Sequence, residues 1–259
     1  MTGSNCYLDT TSDCSSQSSF RWTCFSRHFQ QPTEWGALSK EQLQQLDKVG
    51  LCRNYKSGEV LFHQGDKALG IYYVRNGLAC IRKYDARGNS CIIGRLAFPG
   101  NSLGLRPLLA GEEYRGSAET LTSSTVCFVR ASVVLDLIKS NSDFEHRVMQ
   151  LIAKSLGEAE DAYFQNTTQS AQFRLAHLLL LLNDHYGKHL GDGSTMIDLP
   201  LTWRNISALI GVRPESMSRV IRKLEIDGIA NFNCHTVHVL KIERLLDDLD
   251  PDRISKQHV

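Results

Sequence analysis

One short segment near the C-terminus combines charged and hydroxyl side chains at a spacing that suits contact with DNA bases. Glu215, Ser218, Arg219 and Arg222 recur at helical spacing, so they share one face of a predicted helix. Arginine can hold guanine O6 and N7 with two hydrogen bonds, glutamate accepts from cytosine N4, and serine can donate or accept. This face therefore predicts the reading of base edges in a DNA major groove.

The residues around that face predict two helices, a tight turn and a hairpin. Thr202 is a good N-cap for a first helix, Gly211 suits the turn, and Pro214 suits the first position of the second helix. The second helix has an apolar stripe at helical spacing, which predicts its buried face: Met217, Val220, Ile221 and Leu224. Two short strands at 229–232 and 236–240 complete a winged helix-turn-helix.

Basic side chains concentrate around these helices although the whole chain is nearly neutral. Lys+Arg number 29 and Asp+Glu 28, a formal charge of +1, which disfavours a protein that coats nucleic acid without specificity. Between positions 201 and 223, however, the only acid is Glu215. This local positive charge suits contacts with phosphates, for which we predict Thr202, Arg204, Arg213, Arg222 and Lys223.

The rest of the chain predicts an α+β protein that positions this DNA-reading unit. Residues 1–35 look irregular and contain three cysteines. Residues 36–140 alternate short apolar stretches with glycine turns, as in an antiparallel β-barrel of the cupin-like jelly-roll type. A long helix at 141–169 follows, then the winged helix-turn-helix at 170–245 and a polar tail at 246–259.

The long helix carries a stripe of apolar or small residues, which predicts a two-fold interface between copies of the chain. The stripe buries little area per residue, and Glu158 beside it is expected to repel its counterpart in the second copy. The predicted interface residues are Val148, Leu151, Ile152, Ser155, Glu158, Ala159 and Ala162.

This order of parts resembles the cyclic-AMP receptor protein/FNR (CRP/FNR) family of bacterial transcription regulators. The likeness covers about residues 36–245, and the run Pro-Glu-Ser-Met-Ser-Arg at 214–219 is similar to the recognition helix of the FNR branch. The resemblance implies that Glu215, Ser218 and Arg219 contact bases of a palindrome similar to TTGAT–ATCAA, read by a homodimer. It also implies that the loop at 84–88 touches RNA polymerase.

The resemblance leaves the sensed signal open. Members that bind a cyclic nucleotide carry a carboxylate where this chain has Leu105, and an arginine directly before a serine or threonine where it has Arg115-Gly116-Ser117. A leucine cannot accept the ribose hydroxyl, so cyclic nucleotide is disfavoured. A cyclic nucleotide, haem or another small molecule in the barrel stays as the alternative effector.

The cysteines predict a response to oxygen or redox state. By the same resemblance, Cys6, Cys14, Cys24 and Cys127 are candidate ligands of a [4Fe–4S] cluster, although their spacing is not the compact C-x2-C of many FNR proteins. Thiol sensing without a cluster is the alternative. Cys52, Cys80 and Cys91 are expected to be small buried hydrophobes, and Cys234 lies in the wing turn.

Several other classes of protein are disfavoured by the sequence. It has no Walker loop, G-x-G-x-x-G, H-E-x-x-H or G-x-S-x-G motif, and His63 is the only histidine between positions 52 and 130, too few for a metal-dependent cupin enzyme. No signal peptide or membrane-length apolar run is visible. We therefore expect a cytoplasmic regulator, not an enzyme.

Overall fold

The computed structural model describes residues 33–86 and 90–247. A 3₁₀ helix at Glu34–Ala37 leads into α1, Lys40–Val49. The Ser39 side chain accepts from the backbone N–H of Gln42, and the Gln42 side chain accepts from the N–H of Ser39, a reciprocal cap that fixes where α1 begins. Leu43 and Leu46 are the buried residues of α1.

Two four-stranded antiparallel sheets form the N-terminal domain. One has the strand order β1-β8-β3-β6 and the other β2-β7-β4-β5. Buried residues of both sheets, including Phe62, Val74, Ala118 and Val126, share one apolar cluster, so the sheets pack face to face as in a jelly roll. The strands are β1 Leu51–Tyr55, β2 Val60–Phe62, β3 Gly70–Asn76, β4 Ala79–Tyr84, β5 Ser90–Ala97, β6 Ser102–Leu103, β7 Ser117–Thr120 and β8 Ser124–Arg130.

Three helices accompany this sandwich. A short α2, Leu105–Ala110, lies between β6 and β7, and α3, Ala131–Ser140, follows β8. The long helix α4, Ser142–Thr168, begins where the Asn141 side chain accepts from the N–H of Phe144. Its first turns pack on the sandwich through Phe144 and Val148.

The C-terminal domain starts at α5, Ala171–Tyr186, capped by Ser170. Its four-stranded antiparallel sheet has the order β11-β12-β10-β9. Leu175, Leu179 and Leu182 of α5 are fully buried in the apolar core of this domain. The remaining elements are β9 Gly187–His189, β10 Thr195–Asp198, α6 Trp203–Leu209, α7 Pro214–Ile226, β11 Ala230–Phe232, β12 Thr236–Val239 and α8 Ile242–Asp247.

The α+β class, the jelly roll, the long helix and the winged helix-turn-helix are confirmed. The hydrogen bonds give two sheets, not one closed barrel. No helix in the described ranges is both long and apolar enough to cross a membrane.

Candidate nucleic-acid interface and sensor sites

The turn between α6 and α7 is held from both sides. The Thr202 side chain accepts from the N–H of Asn205, which caps α6 as expected. Gly211 adopts φ +66°, a left-handed conformation that favours glycine. The Arg174 guanidinium of α5 donates to the carbonyls of Ile210 and Gln169, both at 2.8 Å. The second helix therefore leaves the turn in a fixed direction.

The predicted base-reading face of α7 is open to solvent. Met217 and Leu224 are buried beneath it, whereas Glu215, Ser218 and Arg219 are exposed. Among the residues that the structure describes, the side chains of Glu215 and Arg219 form no hydrogen bond or ion pair. The Ser218 hydroxyl donates to the Pro214 carbonyl at 3.4 Å, a weak bond that a rotation about χ1 releases. All three side chains are thus available to a groove.

The five predicted phosphate-contacting residues are also exposed. Thr202 and Arg204 lie at the start of α6, Arg213 is the N-cap of α7, and Arg222 and Lys223 lie further along α7. The N-terminus of α7 adds the partial positive charge of its unpaired N–H groups. All eight predicted DNA-contacting residues are thus exposed to solvent.

The wing is attached to α6 by an aromatic contact. The Trp203 ring lies 5.6 Å from that of Phe232, and its indole N–H donates to the Asn233 carbonyl. Strands β11 and β12 pair from Ala230↔Val239 to Phe232↔Val237. Cys234 is exposed in the turn between them, as predicted.

Aromatic rings fill part of the space between the sheets of the sandwich. Phe62 stacks on Tyr114 with ring centroids 3.6 Å apart, and Tyr72 lies next to Phe62 and Phe128. The Tyr114 hydroxyl donates to the Gly70 carbonyl, and burial raises the pKa of this phenol. These rings pack against one another, and the Tyr114 hydroxyl already has its hydrogen-bond acceptor.

Leu105 and Arg115, which stand where some family members bind a cyclic nucleotide, are not arranged to bind one here. Leu105 is buried and offers no oxygen to a ribose. The exposed Arg115 side chain forms an ion pair with Glu112 at 3.0 Å, and Arg106 pairs with the same carboxylate. An open cleft of about 340 Å³ beside Arg115 is lined mainly by Gln64, Gly65, Lys83, Glu112, Glu113 and Tyr114.

Some of the described cysteines differ from what the sequence predicted. Cys127 is fully buried and forms a disulfide with Cys52, directly opposite it on the neighbouring strand. Cys52 was expected to be a small buried hydrophobe, but it is half-buried and disulfide-bonded. Cys80 is buried as predicted, but Cys91 is exposed, which makes that prediction wrong. A sequence cannot show that Cys52 and Cys127 are cross-strand neighbours, because this depends on the register of β1 on β8.

Cys127 can ligate a cluster only after its disulfide with Cys52 is reduced. Its sulfur is bonded to Cys52, so it is not a thiolate that can bind iron. Cys6, Cys14 and Cys24, the other predicted ligands, lie outside the described residues. Within positions 33–86 and 90–247, no group of three or more His, Cys, Asp or Glu side chains is placed to hold a metal ion.

The exposed apolar side chains of α4 lie on a face that differs from the predicted seam. Val148 is buried against its own sandwich, while Leu151 and Ile152 are half-buried in the same cluster. Met149, Leu156 and Tyr163 are 67%, 61% and 73% exposed, respectively. With Ile152 and Ala159 they follow the alternating 3–4 spacing of a coiled coil, a signal present in the sequence but missed.

The other predicted interface residues of α4 differ in their exposure to solvent. Ser155, Ala159 and Ala162 are exposed along α4, at or beside this apolar face. Glu158 is half-buried and lies roughly 180° around the helix from Met149, given about 100° per residue. The repulsion between Glu158 and its counterpart in a second copy therefore stays a prediction.

A buried ion pair links the sandwich to the helix-turn-helix. Arg82 on β4 forms a salt bridge with Glu119 on β7 at 2.6 Å and donates to the Asn205 side chain of α6 at 2.9 Å. Burial lowers the pKa of Arg82, but the hydrogen bond and charge of Glu119 outweigh burial and raise it overall. Phe98 and His185 add a stacked pair with centroids 4.0 Å apart. The two domains are thus in direct contact.

A jelly-roll domain, a long helix with an exposed apolar stripe and a winged helix-turn-helix with an open basic face define a DNA-binding regulator. Comparisons with known proteins agree. Residues 52–141 match the cyclic nucleotide-binding domain, and residues 173–247 match the Crp-like helix-turn-helix domain. Together the two models cover most of the described chain.

Two curated relatives show the same arrangement along most of their length. The transcriptional activatory protein AadR of Rhodopseudomonas palustris is 27% identical over 190 residues, 73% of this chain and 77% of AadR. The nitrogen fixation regulation protein FixK of Bradyrhizobium diazoefficiens is 27% identical over 192 residues, 74% of this chain and 79% of FixK. The solved structure of FixK2 from Bradyrhizobium japonicum superposes with a TM-score of 0.67 at 24% identity, covering 77% of this chain and 96% of FixK2. The chain belongs to the CRP/FNR family of transcription regulators, a family of non-enzymes.

Proposed function

We propose that this chain is a homodimeric transcription activator that binds a palindrome similar to TTGAT–ATCAA. The observation that carries the proposal is the exposed face of α7, where Glu215, Ser218 and Arg219 stand free above a buried apolar stripe. Relatives whose names describe activators support the direction of regulation. A protein that works on chromosomal DNA acts in the cytoplasm.

The homodimer is supported by the apolar stripe on α4. Exposed large apolar residues in a regular row are costly to leave in water, and a second copy of the same helix covers them with the same spacing. Two-fold symmetry then places two copies of α7 about one DNA turn apart, roughly 34 Å, to read a palindrome.

The activator role involves RNA polymerase. The segment after β4 offers exposed side chains at Tyr84, Asp85 and Ala86, next to residues 87–89, which lie outside the described ranges. An exposed loop on a rigid sheet suits a contact with another protein. This surface supports the proposed polymerase contact, and its alteration is expected to reduce activation without loss of DNA binding.

The signal is proposed to be oxygen or redox state, sensed through cysteines. A [4Fe–4S] cluster at Cys6, Cys14, Cys24 and Cys127 requires the Cys52–Cys127 disulfide to be reduced first. Iron content of anaerobically purified protein, with Cys127→Ala as the comparison, tests the cluster. Iron bound in the wild type and lost in the variant supports it, and iron-free protein with normal regulation rules it out.

A small-molecule effector is the second candidate, favoured by the match to a cyclic nucleotide-binding domain. The buried Leu105 and the outward ion pair of Arg115 argue against a cyclic nucleotide in particular. Calorimetry with cyclic AMP tests the cyclic-nucleotide form of this candidate, which saturable heat of binding would support.

Fluorescence anisotropy at fixed salt tests the DNA-binding function. The full chain is titrated into a labelled TTGAT–ATCAA duplex and into a duplex of the same composition with both half-sites scrambled. We expect the palindrome to bind at least a hundredfold more tightly, since specific sites typically exceed non-specific ones by about 10³ or more. Equal binding to both duplexes would contradict the proposal.

A further inference from the structure

A disulfide joins the edge strand of the sensor sandwich to the strand beside it. Cys52 and Cys127 are partners in the antiparallel register of β1 and β8, with Cα atoms 3.9 Å apart. β1 is at the end of its sheet and pairs only with β8 among the described strands. Edge strands open more readily than central ones, because a single ladder holds them. The disulfide is therefore placed where it adds to a weak attachment.

The disulfide attaches the segment 33–55 to β8, and this segment supports the first turns of α4. The Trp35 ring packs 5.6 Å from Phe144 and 6.0 Å from Tyr73. Leu43 and Leu46 of α1 share one apolar cluster with Cys127 and with Phe144 and Val148 of α4. The Asn141 side chain, which caps α4, donates to Gln42 at 3.1 Å. The two sulfurs thus lie in the same core as the base of the proposed dimer helix.

The two sulfurs differ in access to solvent. Cys127 is fully buried, whereas Cys52 is half-buried on an edge strand between the exposed residues Leu51 and Arg53. A reagent can therefore approach the sulfur of Cys52 more easily than that of Cys127.

Among the described residues, Cys80, Cys91 and Cys234 form no disulfide. Burial, with the nearby charge of Glu119, raises the pKa of the Cys80 thiol to about 12, so it stays protonated. Cys91 and Cys234 are exposed free thiols in different domains. They serve as controls for the paired cysteines.

We propose that Cys52 and Cys127 form a reversible redox couple that controls how firmly the segment 33–55 holds the base of α4. The couple exchanges with small thiol reductants and disulfide oxidants of the glutathione type. This inference rests on the proposed function and deepens it, because it names the site of the redox response without a metal.

The exchange is a balanced two-electron reaction. A reductant thiolate attacks the sulfur of Cys52, the Cys52–Cys127 bond breaks, and Cys127 leaves as a thiolate that takes up a proton. A second thiol of the reductant resolves the mixed disulfide and releases the Cys52 thiol. The reductant is oxidised to a disulfide, and the protein gains two electrons and two protons. The reverse sequence with an oxidised disulfide regenerates the bond.

The disulfide form is the one in which the segment 33–55 is fixed against α4. Reduction removes the covalent link between β1 and β8, so the support of α4 loosens and the population of correctly paired dimers falls. We expect dimerisation and binding to the TTGAT–ATCAA duplex to weaken at least tenfold on reduction.

The test uses the full chain in buffers with varied ratios of reduced to oxidised glutathione. Each sample is alkylated, and peptide mass spectrometry without reduction measures the Cys52–Cys127 linked peptide. Sedimentation equilibrium measures the dimer constant, and anisotropy measures operator binding. We expect dimerisation and operator binding both to strengthen as the fraction of Cys52–Cys127 linked protein rises. A dimer constant that changes less than twofold between fully linked and fully reduced protein overturns the inference, as does a failure to detect the linked peptide.

Variants assign the response to this pair. Cys52→Ala/Cys127→Ala is expected to behave as reduced protein in every buffer, and the half-buried Cys52→Ser alone serves if the double variant does not fold. Cys91→Ser/Cys234→Ser and Cys6→Ser/Cys14→Ser/Cys24→Ser are expected to keep the response. Loss of the response in either control assigns it to other thiols and overturns the inference.

The two proposals fail in distinguishable ways. If the duplex is not bound in any buffer, the proposed DNA target is wrong, but the dimer constant still decides the redox couple. If the duplex is bound specifically and both constants ignore the linked fraction, the proposed function stands and the redox couple is wrong.

Discussion

The apolar stripe on α4 makes a quantitative prediction about dimerisation. Leu156 is 61% exposed in one protomer, and a second copy is proposed to cover it. Complete burial of a leucine side chain stabilises by about 1.5–3 kcal/mol, so burial of the exposed part is worth about 1–2 kcal/mol per copy and about 2–4 kcal/mol per dimer. At about 1.4 kcal/mol per tenfold, Leu156→Ala is expected to weaken dimerisation by roughly 30- to 700-fold.

Leu69→Ala provides a matched control for this substitution. Leu69 is also an exposed leucine, at 69%, but it lies on the sandwich before β3. Sedimentation equilibrium of the wild type and both variants, under oxidising conditions, gives the three dimer constants. We expect Leu69→Ala to remain within about twofold of the wild type. A Leu156→Ala constant equally close to the wild type would refute the assignment of the seam.

Three further predictions concern the ion pair between the domains, the thiols and the effector. Arg82→Met leaves the Glu119 carboxylate without its cation at a buried site, so urea unfolding should show a loss of about 3–5 kcal/mol, whereas the exposed pair of Arg115 should cost at most about 1 kcal/mol in Arg115→Met. Equal losses in the two variants would contradict the role given to burial. Iodoacetamide at pH 8 should label Cys91 and Cys234 in native protein within minutes but spare Cys80, because its raised pKa keeps the thiol protonated well above that pH; mass spectrometry that finds Cys80 labelled as fast would refute this. Millimolar cyclic AMP should produce no heat of binding by calorimetry and no change in operator affinity, because Leu105 supplies no ribose acceptor; saturable heat with tighter operator binding would refute this.

The DNA-reading unit was accessible from sequence because its signals are local. Thr202 as an N-cap, Gly211 in a left-handed turn and Pro214 at the start of α7 each act within a few residues. The apolar stripe of α7 repeats over two turns, so the opposite face could be assigned to solvent without knowledge of the fold. All eight predicted DNA-contacting residues are exposed in the structure, and their contacts with DNA stay a prediction.

The sensor cysteines could not be resolved in the same way, because their environment depends on contacts far apart in the chain. Cys52 and Cys127 are 75 residues apart and meet only through the register of β1 on β8. Cys91 lies on β5, and no local pattern showed that its side chain faces solvent.

The exposed apolar face of α4 was not assigned from the sequence, for a different reason. Two stripes run along this helix, and the first turns pack on the sandwich through Phe144 and Val148. A single sequence does not show which stripe the protomer uses for its own core. The structure assigns Val148 to that core and leaves Met149, Leu156 and Tyr163 exposed.

The central claim, that the exposed face of α7 reads bases, is tested most directly by comparing Arg219→Ala with Lys223→Ala. Both residues are exposed on α7, but only Arg219 lies on the proposed base-reading face. Anisotropy titrations measure each variant against the TTGAT–ATCAA duplex and against duplexes with single substitutions at the guanine of each half-site. Arg219→Ala should lose about 1–3 kcal/mol and its preference for that guanine, while Lys223→Ala should weaken all duplexes about equally. Arg219→Ala protein that still discriminates at the guanine as the wild type does would contradict the account.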